Sequence, residues 1–159
     1  MTIGTTALSF AGGVLIWIAK DIPYTVTSQV MDPEGRYVVV RRMLYGAPLA
    51  FAAIYTPNTG HGMFLQTITP ALLTNPDIPV IWGGDFNSIP DIDIDRSHPP
   101  VAGAACFGAT QAFNNCFLNA RTDHAWRLHH PLAREYSFYS PVHKLYTRLD
   151  LFACSASLI

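Results

Sequence analysis

The sequence predicts a layered α/β fold in which strands come first, helices and strands then alternate, and strands close the chain. Three observations support this prediction. Several short runs are apolar or rich in β-branched residues, two longer segments have a helical pattern, and twelve prolines and eleven glycines divide the chain into short elements. Elements in this order favour either one mixed sheet or two sheets packed together.

The strand candidates are short apolar or alternating runs that end at turn-forming residues. They are residues Gly13–Ala19, Ile22–Met31, Tyr37–Tyr45, Leu49–Tyr55, Pro79–Gly83, Tyr136–Ser140 and Arg148–Ala153. Gly46–Pro48 predicts a hairpin turn, and Asp32–Gly35 predicts another. Because Gly13–Ala19 is apolar throughout, we expect this strand to be covered on both faces.

Helices are predicted over Thr59–Asn75 and Gly108–Leu118, with a further turn over His124–His129. Pro70 should bend or shorten the first of them, because proline lacks the N–H that a helix interior needs. The prolines and aspartates of Asn87–Val101 predict a loop.

Size and composition indicate one folded domain over residues 1–159. Half of the residues are hydrophobic and 13% are charged, which excludes a disordered segment. The net charge is −1, and Arg41-Arg42 is the one basic pair. This balance neither supports nor excludes nucleic acid, because a nuclease can concentrate a few cations in one groove.

The cysteines and the apolar opening stretch indicate the cellular compartment and whether the chain enters a membrane. Cys106, Cys116 and Cys154 form no metal or disulfide pattern, which predicts buried thiols without a disulfide partner in a reducing compartment, nuclear or cytoplasmic. Thr5–Ile18 is apolar, but no cationic segment precedes it, glycines interrupt it, and it is shorter than the ~20 residues of a membrane span. We therefore expect no membrane partner.

The sharpest motif is Gly84-Asp85-Phe86-Asn87, directly after an apolar strand. Side chains two residues apart in an extended chain point to the same side. Asp85 can accept a proton from water or bind a divalent cation, and Asn87 can hold an oxygen through its amide. The alternative is that both residues only cap the loop, as Asx residues often do.

Two further motifs place polar groups at strand ends. Tyr55 ends an apolar strand in Tyr55-Thr56-Pro57-Asn58, where its hydroxyl can donate to a phosphate oxygen. Arg148 and Asp150 alternate with apolar residues in a closing strand, where a carboxylate can orient a histidine. The alternatives are an ordinary strand-end tyrosine and an Arg–Asp surface pair.

Together and in this order, the three motifs resemble the endonuclease/exonuclease/phosphatase superfamily. Within it, the chain is most similar to the apurinic/apyrimidinic-like endonuclease domains of LINE-type retrotransposons. The supporting strings are Gly13-Val14, Glu34–Tyr37, Asp95-Arg96, Trp126–Pro131 and Glu135–Ser140.

The resemblance implies a two-layered β-sandwich core flanked by helices and a Mg²⁺-dependent phosphodiesterase that acts on DNA. Asp85 would orient or deprotonate the attacking water, and Asn87 would hold that water or the phosphate. Asp85 and Asn87 are also the candidate metal residues. Tyr55 would stabilise the transition state, with Asn58 supporting the site beside it.

The resemblance also implies roles near the end of the chain. Asp150 would orient and charge-stabilise a histidine, and Ser137 occupies the position at which relatives often contact the DNA strand with Thr. The family's catalytic histidine belongs to a Ser-Asp-His segment, which this sequence does not contain. His129 and His130 are predicted to be structural or surface residues.

The chain departs from the family pattern at both ends. In the family, an Asn and then a Glu, the principal Mg²⁺ ligand, precede the Gly-Val strand, whereas the first Glu here is Glu34. We therefore expect a domain truncated at both ends, with weak Mg²⁺ binding and little activity. The loss of flanking strands should leave Gly13–Ala19 and Arg148–Ala153 as unpaired, aggregation-prone edges.

Two alternative functions remain open from the sequence. One is an inositol-phosphate or sphingomyelin phosphodiesterase of the same superfamily, which the retrotransposon-like strings disfavour. The other is a non-catalytic α/β remnant that binds nucleic acid weakly. The sequence does not determine the oligomeric state.

Overall fold

The structure, a computed structural model, describes residues 2–4, 13–73, 75, 77–98 and 106–159. The strands are β1 (Thr2–Gly4), β2 (Leu15–Trp17), β3 (Tyr24–Met31), β4 (Tyr37–Leu44), β5 (Ala47–Tyr55), β6 (Val80–Asp85), β7 (Thr122–His124), β8 (Phe138–Ser140), β9 (Leu145–Thr147) and β10 (Asp150–Ser155). The helices are α1 (His61–Leu73), α2 (Cys106–Asn119), α3 (Ala125–His129) and a final 3-10 turn, Ala156–Leu158.

The centre of the fold is a mixed sheet of six strands in the order β3-β4-β5-β6-β10-β7. Strands β5 and β6 are parallel, because helix α1 connects them, and the other pairs are antiparallel. The predicted α/β class, a multi-strand sheet flanked by helices, is confirmed.

Local turn chemistry explains the two hairpins. Tyr45 and Gly46 both have positive φ, 49° and 82°, so the β4–β5 turn is the tight two-residue kind that matches strand twist. It begins one residue before the predicted turn, and Ala47 pairs with Leu44 as the first residue of β5. The predicted Asp32–Gly35 turn is present, with the Gly35 amide donating to the Asp32 carbonyl at 3.0 Å.

The main core lies between the sheet and helices α1 and α2. Trp82 and Phe86 from the β6 region pack on Phe113 and Phe117 of α2, with ring centroids 4.6–6.4 Å apart. Pro70 lies within α1, which ends three residues later at Leu73. The helix therefore ends two residues before the predicted end at Asn75.

On the opposite face of the sheet, β1 and β2 form a two-stranded ribbon, which is the second layer in the described residues. Val14 and Ile16 pack on the sheet, whereas Leu15 and Trp17 are 61% and 68% exposed. The expectation that Gly13–Ala19 is covered on both faces is therefore wrong. The ribbon is an outer layer, so only alternate residues meet the sheet.

The last strands also differ from expectation. Strand β10 is not an edge, because β6 pairs with one side of it and the three residues of β7 pair with the other. The predicted closing strand Tyr136–Ser140 is shorter, and β8 pairs with β9 in a separate hairpin.

Two expectations fall partly on residues outside the described ones. Residues 5–12 of the apolar opening stretch and residues 99–101 of the predicted loop are not described. Within the described part of the chain, no helix combines the length and the apolarity that crossing a membrane requires. Cys116 is a buried free thiol and Cys154 a half-buried one.

Candidate active site

Tyr55, Asp85 and Asp150 lie side by side on three neighbouring strands, a set that we call the polar row. Tyr55 pairs with Asp85 in the parallel β5–β6 ladder, and Asp85 pairs with Asp150 in the antiparallel β6–β10 ladder. Residues paired in this way have Cα atoms about 5 Å apart. The next residues along two of these strands, Ile54 and Leu151, are buried against the helices, so the polar row faces away from the helical layer.

This placement follows from the strand-end motifs, because the ends of β5 and β6 and the start of β10 meet at one end of the sheet. The structure therefore brings together three of the four residues proposed as catalytic on adjacent strands, and the fourth, Asn87, follows two residues after Asp85. Their chemical roles stay predictions.

Asn87 connects the loops that follow β5 and β6. Its backbone N–H donates to Asp85 Oδ1 at 2.9 Å, and its side-chain Nδ2 donates to the Thr56 carbonyl at 2.6 Å. The Thr56 amide in turn donates to the Asp85 carbonyl at 2.8 Å. The φ of Asn87 is 46°, a left-handed conformation that Asn tolerates better than most residues. Asp85 and Asn87 thus do cap the loop, and a role for the Asn87 side-chain carbonyl stays a prediction.

The two predicted substrate-binding residues flank the polar row in different ways. Asn58 is exposed in the loop after Tyr55. Ser137 is also exposed, and its Oγ accepts the backbone N–H groups of Leu149 and Asp150, both at 3.0 Å. Ser137 therefore holds the start of β10, and its predicted contact with DNA stays a prediction.

Burial and a neighbouring charge act on the carboxyl of Asp85. Burial raises the pKa of Asp85, the N–H of Asn87 opposes this, and the negative charge of Asp150 raises the pKa further. A bound cation would relieve both unfavourable effects. Among the described residues, no group of three or more His, Cys, Asp or Glu side chains could hold a metal ion. Mg²⁺ sites often use only one or two carboxylates, so the paired residues Asp85 and Asp150 could hold such an ion.

Sequence reasoning missed what surrounds Asp150. Trp126, His129, His130, Arg148, Asp150 and Phe152 line an open cleft of about 460 Å³. His129 and His130 are exposed, as expected, but they lie on the wall of this cleft. The alternative of an Arg148–Asp150 surface pair is wrong, since Arg148 is 8% exposed and pairs with Asp95. No local pattern predicts a partner so distant in sequence.

His124 makes stability depend on pH. Its Nδ1 caps α3 by accepting the N–H of Arg127 at 3.1 Å, which requires the neutral ring. Burial, and then the charges of Arg148 and Arg127, lower the pKa of His124 from 6.5 to about 4. Between these values the unfolded chain binds a proton that the folded chain does not. We therefore expect the free energy of unfolding to fall as the pH drops from about 6.5 to 4, by on the order of 1–2 kcal/mol after allowance for partial exposure.

Urea unfolding at pH 7.5 and pH 5 measures this effect. His124→Asn keeps a capping acceptor but does not titrate. Its free energy of unfolding should therefore fall less between pH 7.5 and pH 5 than that of the unsubstituted chain. His143→Asn, at an exposed loop position, should behave like the unsubstituted chain. If the free energy of unfolding falls equally for His124→Asn and the unsubstituted chain, His124 is not the cause of the pH dependence.

Comparisons with known proteins identify the family and the fold. The model of the Endonuclease/Exonuclease/phosphatase family matches residues 9–158. The structure is similar to the AP endonuclease LMAP from Leishmania major, at 22% identity and a TM-score of 0.61, over 80% of this chain and 48% of that one. It is also similar to an AP endonuclease from Archaeoglobus fulgidus, at 20% identity and a TM-score of 0.63, over 87% and 59% of the two chains.

A third similar structure is the endonuclease domain of TRAS1, a telomere-specific non-LTR retrotransposon. The identity is 13% and the TM-score 0.62, over 98% of this chain and 68% of that one. At these identities the likeness shows a shared fold. The chain spans about half to three fifths of the length of the two AP endonucleases.

Proposed function

This chain belongs to the endonuclease/exonuclease/phosphatase family, and we propose that it is a metal-dependent phosphodiesterase of the LINE-like DNA endonuclease kind. The observation that carries the proposal is the polar row, in which Tyr55, Asp85 and Asp150 occupy paired positions on three adjacent strands. Tyr55 and Asp150 each lie one strand spacing, about 5 Å, to either side of Asp85, so a phosphate above Asp85 would lie between the other two side chains.

Each residue has a place in an in-line displacement at that phosphate. Asp85, at the end of β6 with Asp150 beside it, is placed to orient or deprotonate the attacking water. Asn87 holds the loop carrying Asp85 and offers its carbonyl to the same water. The Tyr55 hydroxyl donates to the phosphate oxygen on which charge develops, and Asn58 supports the loop beside it. Mg²⁺ held by Asp85 and Asp150 would supply charge neutralisation when bound.

DNA as the substrate is supported by the surface next to Ser137. The rings of Tyr139 and Tyr146, on β8 and β9, lie 4.7 Å apart, and the Tyr136 ring stacks 6.0 Å from Tyr146. Tyr139 and Tyr146 are about half exposed, and Lys144 lies in the turn between their strands. Exposed aromatic rings beside a cation favour contact with nucleic acid.

We further propose that these 159 residues alone are weakly active. The two carboxylates of the polar row form no larger ligand cluster within the described residues. A cation held by two carboxylates and one amide should bind with an affinity at the weak end of oxygen-ligand sites, about 1 mM.

Calorimetric titration of the chain with Mn²⁺ and with Mg²⁺ tests the metal site. We expect one weak site, and Asp85→Asn or Asp150→Asn should lower its affinity by about tenfold, because each removes a charge adjacent to the ion. Asp77→Asn is the matched control, since Asp77 is an exposed aspartate near the opposite end of β6.

The outcomes separate the alternatives. Loss of affinity in Asp85→Asn and Asp150→Asn, with Asp77→Asn unchanged, supports the proposal. Equal affinities in all three variants would place the ion elsewhere and contradict it. The absence of saturable binding would instead favour the non-catalytic remnant.

A further inference from the structure

Three distant segments meet at one buried carboxylate, that of Asp95. It comes from the loop after β6 and is completely buried. Arg127 of α3 donates to Asp95 Oδ1 through Nη2, and Arg148 Nε lies 3.2 Å from the same oxygen, an ion pair without hydrogen-bond geometry. The Asp91 amide donates to Oδ2 at 3.2 Å. One buried negative charge thus forms ion pairs with two largely buried guanidinium groups from different parts of the chain.

The backbone of the same loop is bonded to the segment that leads into β10. The Arg148 amide donates to the Asp95 carbonyl at 2.9 Å. The Ser97 amide donates to the Tyr146 carbonyl at 3.0 Å, and the Tyr146 amide donates back to Ser97 Oγ at 3.0 Å. Side-chain and main-chain contacts therefore fasten the same two segments together.

This segment leads directly to the polar row. Two residues after Arg148 comes Asp150, and between them the Leu149 carbonyl accepts the Phe86 amide at 2.9 Å. Phe86 is the residue that follows Asp85. Asp95 thus holds Arg148, and Arg148 leads through Leu149 to Asp150. The position of Asp150 relative to Asp85 therefore depends on the contact between Asp95 and Arg148.

We propose that Asp95, acting through Arg127 and Arg148, is a positioning residue that holds Asp150 beside Asp85. Its removal would leave two like charges facing one another in a largely buried place, which would push α3 and the start of β10 apart. The ring of Trp126, 5.1 Å from the Arg148 guanidinium, would remain as a weaker contact. The consequence for metal binding rests on the proposed function, whereas the consequence for local structure does not.

Amide hydrogen exchange of the full chain tests the structural part. Asp95→Asn keeps the shape and removes the charge. We expect it to accelerate exchange by at least about tenfold at the amides of Phe86, Arg148, Leu149 and Asp150, and to leave the amides of β4 and β5 unchanged. Arg148→Lys, which keeps the charge, should affect the same amides less and provides a milder variant if Asp95→Asn does not fold.

The matched control is Arg41→Lys. Arg41 is also a buried arginine of this sheet, and it donates to the Ala71 carbonyl at the end of α1, away from the polar row. Acceleration confined to the four amides, and absent in Arg41→Lys, supports the proposal. Uniform acceleration, or none, would overturn it, because Asp95 would then be only a general stabiliser or have no structural effect.

Mn²⁺ titration of the same variants separates this inference from the proposed function. Asp95→Asn should lower the Mn²⁺ affinity about as much as Asp150→Asn, and Arg41→Lys should not. If the unsubstituted chain binds no Mn²⁺, the proposed function fails while the exchange data still decide the positioning role. If it binds Mn²⁺ and Asp95→Asn binds equally well, the positioning role fails and the proposed function stands.

Discussion

Gly84→Ala should lower the free energy of unfolding by at least about 3 kcal/mol, enough to unfold much of a marginal domain. A Cβ at this position would lie 1.8 Å from the carbonyl oxygen of Ile54, which is backbone and cannot rotate away. The φ of Gly84 is also +147°, a conformation that side chains rarely adopt. Because Gly84 pairs with Ile54 one position before Tyr55 and Asp85, the substitution should also disturb the polar row.

Urea unfolding followed by circular dichroism measures the change. Gly108→Ala is the control, because Gly108 lies in α2 with no atom within 4 Å of an added Cβ. It should raise the free energy of unfolding by about 0.5–1 kcal/mol, since Ala restricts the unfolded chain and favours helix. If Gly84→Ala unfolds at the same urea concentration as the unsubstituted chain, the backbone of Ile54 does not lie as close to Gly84 as the structure places it.

The parts of the fold that could be predicted are those with local causes. The Asp32–Gly35 turn follows from turn chemistry within a few residues. The position of Asp85 at a strand end follows from an apolar run that stops at a carboxylate. The pairing of Tyr55 with Asp85 could be anticipated because helix α1 connects two consecutive strands, which makes them parallel and brings their ends together.

The parts that were missed depend on contacts between distant residues. An apolar run does not show whether one face or two will be covered, so the exposure of Trp17 on the outer ribbon could not be read from its neighbours. The expected edge at Arg148–Ala153 follows from the expected truncation of the domain. It is wrong because β7 pairs with β10, and nothing local in Thr122–His124 indicates a strand of three residues. The ion pairs of Asp95 with Arg127 and Arg148 join a loop, a helix and the residue before a strand. No periodic pattern in the sequence indicates such contacts.

Supercoiled plasmid should be nicked only slowly by the 159-residue chain in Mg²⁺. The polar row offers Asp85 and Asp150 as carboxylates, and the sequence contains no Ser-Asp-His string of the kind that, by the resemblance to the family, would supply a catalytic histidine. Loss of a general acid or base typically costs 10²–10⁴-fold in rate. We therefore expect nicking at least about a hundredfold slower than that of a family enzyme carrying the Glu ligand and the Ser-Asp-His segment, assayed in parallel.

The assay separates low activity from none and from contamination. Residual nicking that requires Mg²⁺, falls in Asp85→Ala and persists in Asp77→Ala would belong to the polar row, since only Asp85 lies at that end of β6. Nicking that is unchanged in Asp85→Ala would come from another nuclease. Rapid nicking that Asp85→Ala abolishes would contradict the expected low activity. It would mean that Tyr55, Asp85, Asn87 and Asp150 provide enough charge stabilisation for turnover without the family's histidine.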